Sequence, residues 1–290
     1  MNLSGRVRGL RGTSAGTRYR SDDLSYETIV VGQEGWVRRI RLNRPERRNA
    51  MTPLMQDELI AAMEEAAASD CRVVVLEGAG EAFCSGLDLS ALQGAKEKSA
   101  AEHRSDAERV AKLFRTLYEL PKPTIAAVHG AAVAGGTGLA TICDFTLAVP
   151  TAKFGYTEAR IGFVPALVSA YLVLQSGEKQ ARGLLLTGKL FDAAEAYRLG
   201  LVNEVVAAEE LEARVNTLAG VLAENSPESL RATKKLLAAQ SKAWLDAAIE
   251  LSLEANAAAR ETKDFYEGVT AFLEKRKAVW SPCADGETKN

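Results

Sequence analysis

The stretch from Pro123 to Pro165 constrains this chain more than any other. Thr124 to Val128 is an apolar run that reads as a buried strand. Gly130 to Gly138 follow, nearly all Gly or Ala, and then Leu139 to Phe145, an apolar segment of helical length. A strand that turns through glycines into a helix leaves free backbone N–H groups at the positive end of the helix dipole. Small residues there let a ligand approach the backbone closely. Such a turn suits an anion, or an oxygen becoming one, and Glu158 is the carboxylate expected beside it. GAAVAGGT (Gly130 to Thr137) nearly spells a phosphate-binding loop, but Gly136 stands where that loop needs lysine. GGTG is likewise a poor dinucleotide fingerprint. A purely structural alternative, tight helix packing on small residues, stays open at this point.

With 290 residues the chain can bury a sizeable core as one large domain or a domain with an appendage. A formal net charge of −2 gives no reason to expect a nucleic-acid partner. No apolar run reaches membrane-spanning length. Cys71, Cys84, Cys143 and Cys283 form no C-x-x-C pair; three lie in or beside apolar stretches and are expected as buried thiols. His103 and His129 are the only histidines, so no metal site is expected. Residues 1–20 carry five arginines, Arg6, Arg8, Arg11, Arg18 and Arg20, and no acid. They read as a disordered basic tail, which implies a cytoplasmic protein, or as a transit peptide, which implies the mitochondrial matrix.

Tyr26 to Val31 and Val37 to Leu42 read as paired strands. Thr52-Pro53 supplies an N-cap and an N1 proline for a helix to about Ser69, with Leu54, Leu59, Ala62, Met63 and Ala66 on its apolar face. Arg72 to Leu76 reads as a buried strand, AFCSGLDLS as a loop, and 90–105 as a polar lead into a helix ending at Leu120. Short helical pieces are expected after Pro165, one opened by Asp192, and helix nearly throughout from Glu209. The expected organisation is a tail over 1–20, an α/β core over 21–205 and a helical C-terminal region over 206–282.

In AFCSGLDLS a second tight turn, around Gly86, also exposes backbone N–H groups. Turns at Leu87 and Gly135 could aim two donors at one oxygen, the arrangement of an oxyanion hole. Six segments, LNRPERRNAM, AFCSGLDLS, KPTIAAVHGAAVAGGTGLATICDFTLA, FGYTEARIGFVP, TGKLFDAAEAYRLGLVNEVV and FLEKRK, occur in the order found in the crotonase (enoyl-CoA hydratase/isomerase) superfamily, which the chain resembles from about Tyr26 to Trp280. The resemblance implies an α/β fold, a crotonase-like spiral of ββα units with a helical C-terminal trimerisation region, assembled as a homotrimer or dimer of trimers. It implies an acyl-CoA thioester as partner and substrate, no further cofactor, and a thioester oxygen held by the N–H groups of Leu87 and Gly135. It also implies that Arg47, Arg48, Leu87, Asp88 and Leu89 border the CoA moiety, with Phe272 and Lys275 reaching it from a neighbouring subunit.

The chain departs from the pattern at one position. Family hydratases commonly use two glutamates; Glu158 matches the second, but Gly138 occupies the first, and glycine has no side chain to move a proton. Three readings follow. The preferred one is a hydratase of short or branched 2-enoyl-CoA using Glu158, nearest in spelling to the methylglutaconyl-CoA and geranoyl-type hydratases. The second is a Δ3,Δ2-enoyl-CoA isomerase using Glu158 alone. The third, of another class, is a non-catalytic acyl-CoA binder or RNA-binding member. Asp144 and His129 read as structural groups, His103 as lying near the acyl pocket, and Tyr156 and Arg160 as surface packing around Glu158. Ser85 lacks the G-x-S-x-G elbow and a histidine partner.

Overall fold

The computed structural model describes residues 26–90 and 98–282. The basic tail and Cys283 lie outside them.

The chain opens with a hairpin, β1 (Ile29–Glu34) and β2 (Val37–Leu42), antiparallel with Ile29 opposite Leu42. Helix α1 (Pro53–Ala68) follows, its first turn held by the Thr52 hydroxyl, which accepts the Met55 N–H. Leu59, Ala62, Met63 and Ala66 are buried as expected, but Leu54 is 43% exposed because it falls in the first turn, off the stripe that meets the sheet.

Three strand–strand–helix units come next. They are β3 (Val73–Gly78), β4 (Ala82–Cys84) and α2 (Ala100–Glu119); β5 (Thr124–Val128), β6 (Ala131–Val133) and α3 (Gly135–Ile142); and β7 (Phe145–Ala148), β8 (Lys153–Gly155) and α4 (Ala166–Thr187). The first strand of each unit joins one sheet and the second joins another. With β9 (Phe191–Asp192) and β10 (Glu204–Val205) the sheets read β1-β2-β3-β5-β7-β10 and β4-β6-β8-β9. Val73–Leu76 of β3 and all of β5 are buried, as parallel strands covered on both faces must be. This is the ββα spiral.

Helix α5 (Ala193–Arg198) starts at Asp192, whose carboxylate accepts the Glu195 N–H. Three helices close the chain: α6 (Leu211–Glu224), α7 (Pro227–Ala259) and α8 (Lys263–Leu273), with Thr262 capping the last. α7 packs along α2 and α4.

Two expectations need correction. The helix after the small-residue stretch starts at Gly135, not Leu139, and Phe145 belongs to the following strand; the glycines are helix rather than approach to it, because their missing side chains let α3 lie against β4. AFCSGLDLS begins as a strand, since Ala82–Cys84 pairs with β6. The pieces expected after Pro165 are present: α4 consists of two helical pieces that meet at a kink where Gly177 takes φ 76° and ψ 158°, and α5 opens at Asp192. Among the described residues, no helix is long and apolar enough to cross a membrane, and no cluster of His, Cys, Asp or Glu could hold a metal.

Candidate active site

The second sheet explains why distant residues meet. β4, β6 and β8 lie side by side and parallel, so the loops leaving their C-terminal ends emerge together. Leu87 follows β4, Gly135 follows β6, and Glu158 follows β8. All three line one cavity of about 530 Å³. A crevice at the carboxyl ends of parallel strands is where open α/β sheets place their ligands.

The Leu87 donor is oriented by Met51. The Met51 N–H donates to the Gly86 carbonyl at 2.8 Å and the Asp88 N–H donates to the Met51 carbonyl at 3.0 Å. In such a parallel bridge the central residue, Leu87, turns its own N–H to the other side. The two turns approach closely. Gly86 has φ 89°, and a Cβ added there would lie 2.9 Å from the Val133 carbonyl oxygen and 3.5 Å from the Gly135 nitrogen. Only glycine allows this contact and this dihedral together. Ala134, between β6 and α3, is held at φ 54° and ψ −125°, a costly conformation for a residue with a Cβ. It delivers the Gly135 N–H at the first position of α3, where no intrahelical acceptor exists. Neither the Leu87 nor the Gly135 N–H donates to an acceptor among the described residues. Met51 and Phe114 close the space above Gly135.

Glu158 opens a short 3-10 turn, Glu158–Ile161, that Gly162 ends at φ 64°. Its Oε2 is sealed from solvent and has no hydrogen-bond partner. Burial pushes its pKa up to about 7, against a lesser lowering by its own backbone N–H. Helix α8 rests on this turn through two glycines. A Cβ on Gly268 would lie 2.3 Å from the Ile161 carbonyl, and one on Gly162 would lie 2.2 Å from the Asp264 oxygen. Tyr156 is buried beneath the turn rather than at the surface as expected, because β8 carries it into the core. Arg160 does stay exposed, on the cavity rim.

Gly138, the position without its acid, faces apolar side chains. A Cβ there would sit 2.7 Å from Val168 Cγ1 and 3.2 Å from Phe114 Cζ. Among the described residues, Glu158 is the only carboxylate on the cavity wall.

Leu89, Arg48 and Phe272 also line the cavity, whereas Arg47, Asp88 and Lys275 do not. Asp88 instead accepts from Arg44 Nη1 at 3.0 Å and from Ser90. Phe272 reaches the cavity of its own chain from α8. Asp144 is structural: it accepts from the Thr124 N–H and hydroxyl and from Lys234. His129 pairs with the Gly80 carbonyl. Ser85 sits on the cavity wall without a histidine, its hydroxyl turned to the Arg47 carbonyl. Cys84, beside the Gly86 turn, is a buried thiol pushed up to about 12. Sequence reasoning missed Phe114, Val168, Asn256 and Arg260, cavity-lining residues from α2, α4 and the end of α7. Arg260 alone left a signal, a cation closing the Ala257-Ala258-Ala259 run.

The match to known proteins covers the same segments. The model of the family described as enoyl-CoA hydratase/isomerase matches residues 32–282. A Thermus thermophilus protein named "Putative enoyl-CoA hydratase" is 46% identical over 249 residues, 86% of this chain and 98% of that protein. A Syntrophomonas wolfei protein named crotonyl-CoA hydratase is 34% identical, over 88% of this chain and 98% of its own length. The crystal structure of an enoyl-CoA hydratase/isomerase from Xanthobacter autotrophicus superposes with a TM-score of 0.81 at 32% identity, covering 89% of this chain and all of that one. With the ββα spiral, the three strand-end loops and these matches in place, the chain belongs to the enoyl-CoA hydratase/isomerase family of enzymes.

Proposed function

We propose that this enzyme hydrates short or branched 2-enoyl-CoA thioesters with Glu158 as its one acid–base group. The observation that carries the reading is the buried, unpartnered Oε2 of Glu158 on the wall that also carries the Leu87 and Gly135 N–H groups. Both donors would hold the thioester oxygen. Water adds its oxygen to C3 as Glu158 takes its proton, and the displaced π electrons move through C2 onto the thioester oxygen. Glu158 then returns that proton to C2 as the carbonyl re-forms. One water enters, one C–O and one C–H bond form, and the carboxylate is regenerated. A carboxyl poised near neutral pH serves both halves of this cycle. Preorganised N–H donors favour the enolate over the ground state because charge grows on that oxygen.

One observation favours a second reading. With Gly138 packed against Val168 and Phe114, no other carboxylate among the described residues lines the cavity to place water, and a lone Glu158 could instead carry a proton between C4 and C2 of a 3-enoyl-CoA. Arg48, Leu89 and Phe272 on the cavity wall, with Arg160 and Arg276 beside them, support a CoA site at its mouth. Leu236, Leu237 and Leu251, exposed on α7, support assembly into trimers. The bacterial relatives support action in the cytoplasm.

The test is a paired assay on one preparation. Loss of the conjugated thioester absorbance on 2-enoyl-CoA, with a 3-hydroxyacyl-CoA product, is the expected result. Absorbance gained from 3-enoyl-CoA, with none lost from any 2-enoyl-CoA, would replace hydration by isomerisation.

A further inference from the structure

The most unusual group on the cavity wall is a cation. Arg260 caps α7, is 2% exposed, and lines the cavity together with Asn256, one helical turn earlier. A guanidinium carries five N–H donors. Among the described residues Arg260 meets one close acceptor, Asn256 Oδ1 at 3.0 Å from Nε. Its contact with Asp106 Oδ2 is 3.5 Å, beyond good hydrogen-bond length, and on another side the Phe163 ring lies 5.4 Å away.

Asp106 does not balance this charge by itself. The same carboxylate takes Lys98 at 2.5 Å and Arg109 at 3.3 Å, and Arg109 shares Asp57. Among the described residues, three cations, Lys98, Arg109 and Arg260, therefore face two carboxylates, Asp57 and Asp106. Leu87 borders both the cavity and the recess that holds this cluster. His103 is buried beside the cluster, 1% exposed, with its Nδ1 unpartnered; burial and the charges of Arg260 and Lys98 lower its pKa against the opposing carboxylates of Asp106 and Glu261. A buried cation with spare donors is costly unless an anion joins it. A purely structural clamp between α2 and α7 would want a close, bidentate pair, and the pair present is neither.

We infer that Arg260 is a specificity-determining residue, and that the preferred substrate is a 2-enoyl-CoA whose acyl chain ends in a carboxylate, received by the free face of the guanidinium. The inference rests on the thioester reading of the site. The other anions such a ligand carries are the phosphates of CoA, but the exposed Arg48 and Arg160 on the cavity rim suit those better than an enclosed Arg260 does.

The decisive experiment is binding, which needs no turnover. Saturated, unreactive ω-carboxyacyl-CoAs of five, six and eight carbons are titrated calorimetrically against methyl-ended acyl-CoAs of equal length, using the full chain and the Arg260→Met and Arg260→Lys variants. One charge-assisted pair in an enclosed site predicts tighter binding of a carboxylate-ended ligand by roughly tenfold to a hundredfold at the best length. That ratio should collapse in Arg260→Met and survive in part in Arg260→Lys. Equal or weaker binding of the carboxylate-ended series by the wild-type protein overturns the inference without any variant. So does an Arg260→Met protein that weakens both series equally, because the partner is then a CoA phosphate. If the ratio appears but no 2-enoyl-CoA is hydrated, the proposed reaction fails and the anion site stands. Hydration without the ratio gives the opposite outcome.

Discussion

The raised pKa of Glu158 makes a prediction about stability as well as about chemistry. Its carboxyl moves from the ordinary 4.5 to about 7 on folding because burial disfavours the charged form. The native state therefore holds this proton across a pH range where the unfolded chain has released it. The sign follows from that difference: the contribution of Glu158 to native stability is fully present below about pH 4.5, declines as pH rises through the interval, and is lost above about 7. Glu158→Gln removes the titration while keeping the shape. The variant should thus gain on the wild type as pH rises, by about 2.5 kcal/mol between pH 5 and pH 8. Urea unfolding at pH 5, 6, 7 and 8, at one protein concentration, measures the difference directly, and groups unaffected by the substitution cancel. A stability difference that is flat over this range, or one that moves toward the wild type at high pH, would refute the burial argument.

Other expectations follow from the packing. Gly138→Glu does not restore a second acid; overlap with Val168 and Phe114 should lower stability by about 1–3 kcal/mol, and adding Val168→Ala should recover part of it in thermal unfolding. Gly268→Ala drives a Cβ into the Ile161 carbonyl, so α8 must lift from the turn that carries Glu158; kcat/KM should fall together with melting temperature. Asp144→Ala leaves the buried Thr124 N–H without its acceptor and should cost about 1–3 kcal/mol in denaturant unfolding while kcat/KM per folded molecule is unchanged.

Much of the site was legible in the sequence because its backbone donors depend on residue types that mark themselves. Gly86 and the Gly135-Gly136 pair can be recognised as places where the chain must turn tightly or pass close to its own backbone. The Thr52 cap, the Asp192 cap and the enclosed Thr124–Val128 strand were equally readable, since each rests on a local pattern. Convergence was not local. That Leu87, Gly135 and Glu158 share a wall follows from the adjacency of β4, β6 and β8, and strands this short carry almost no signal of their pairing. The burial of Tyr156 was misread for the same reason: the register of β8 decides it. Arg260 was passed over because a lone arginine in a helical tail usually faces water, and only the packing of α7 against α2 encloses this one.

The central claim is that one carboxylate performs both proton transfers. It is tested most directly by the rate of 2-enoyl-CoA hydration in Glu158→Gln, measured alongside the variant's affinity for a saturated acyl-CoA. Loss of general acid–base catalysis predicts a fall in kcat of about 10²–10⁴, with thioester affinity retained because the Leu87 and Gly135 donors are untouched. Hydration that continues within about tenfold of the wild-type rate would contradict the account, since so small a loss lies below what a general acid–base group contributes.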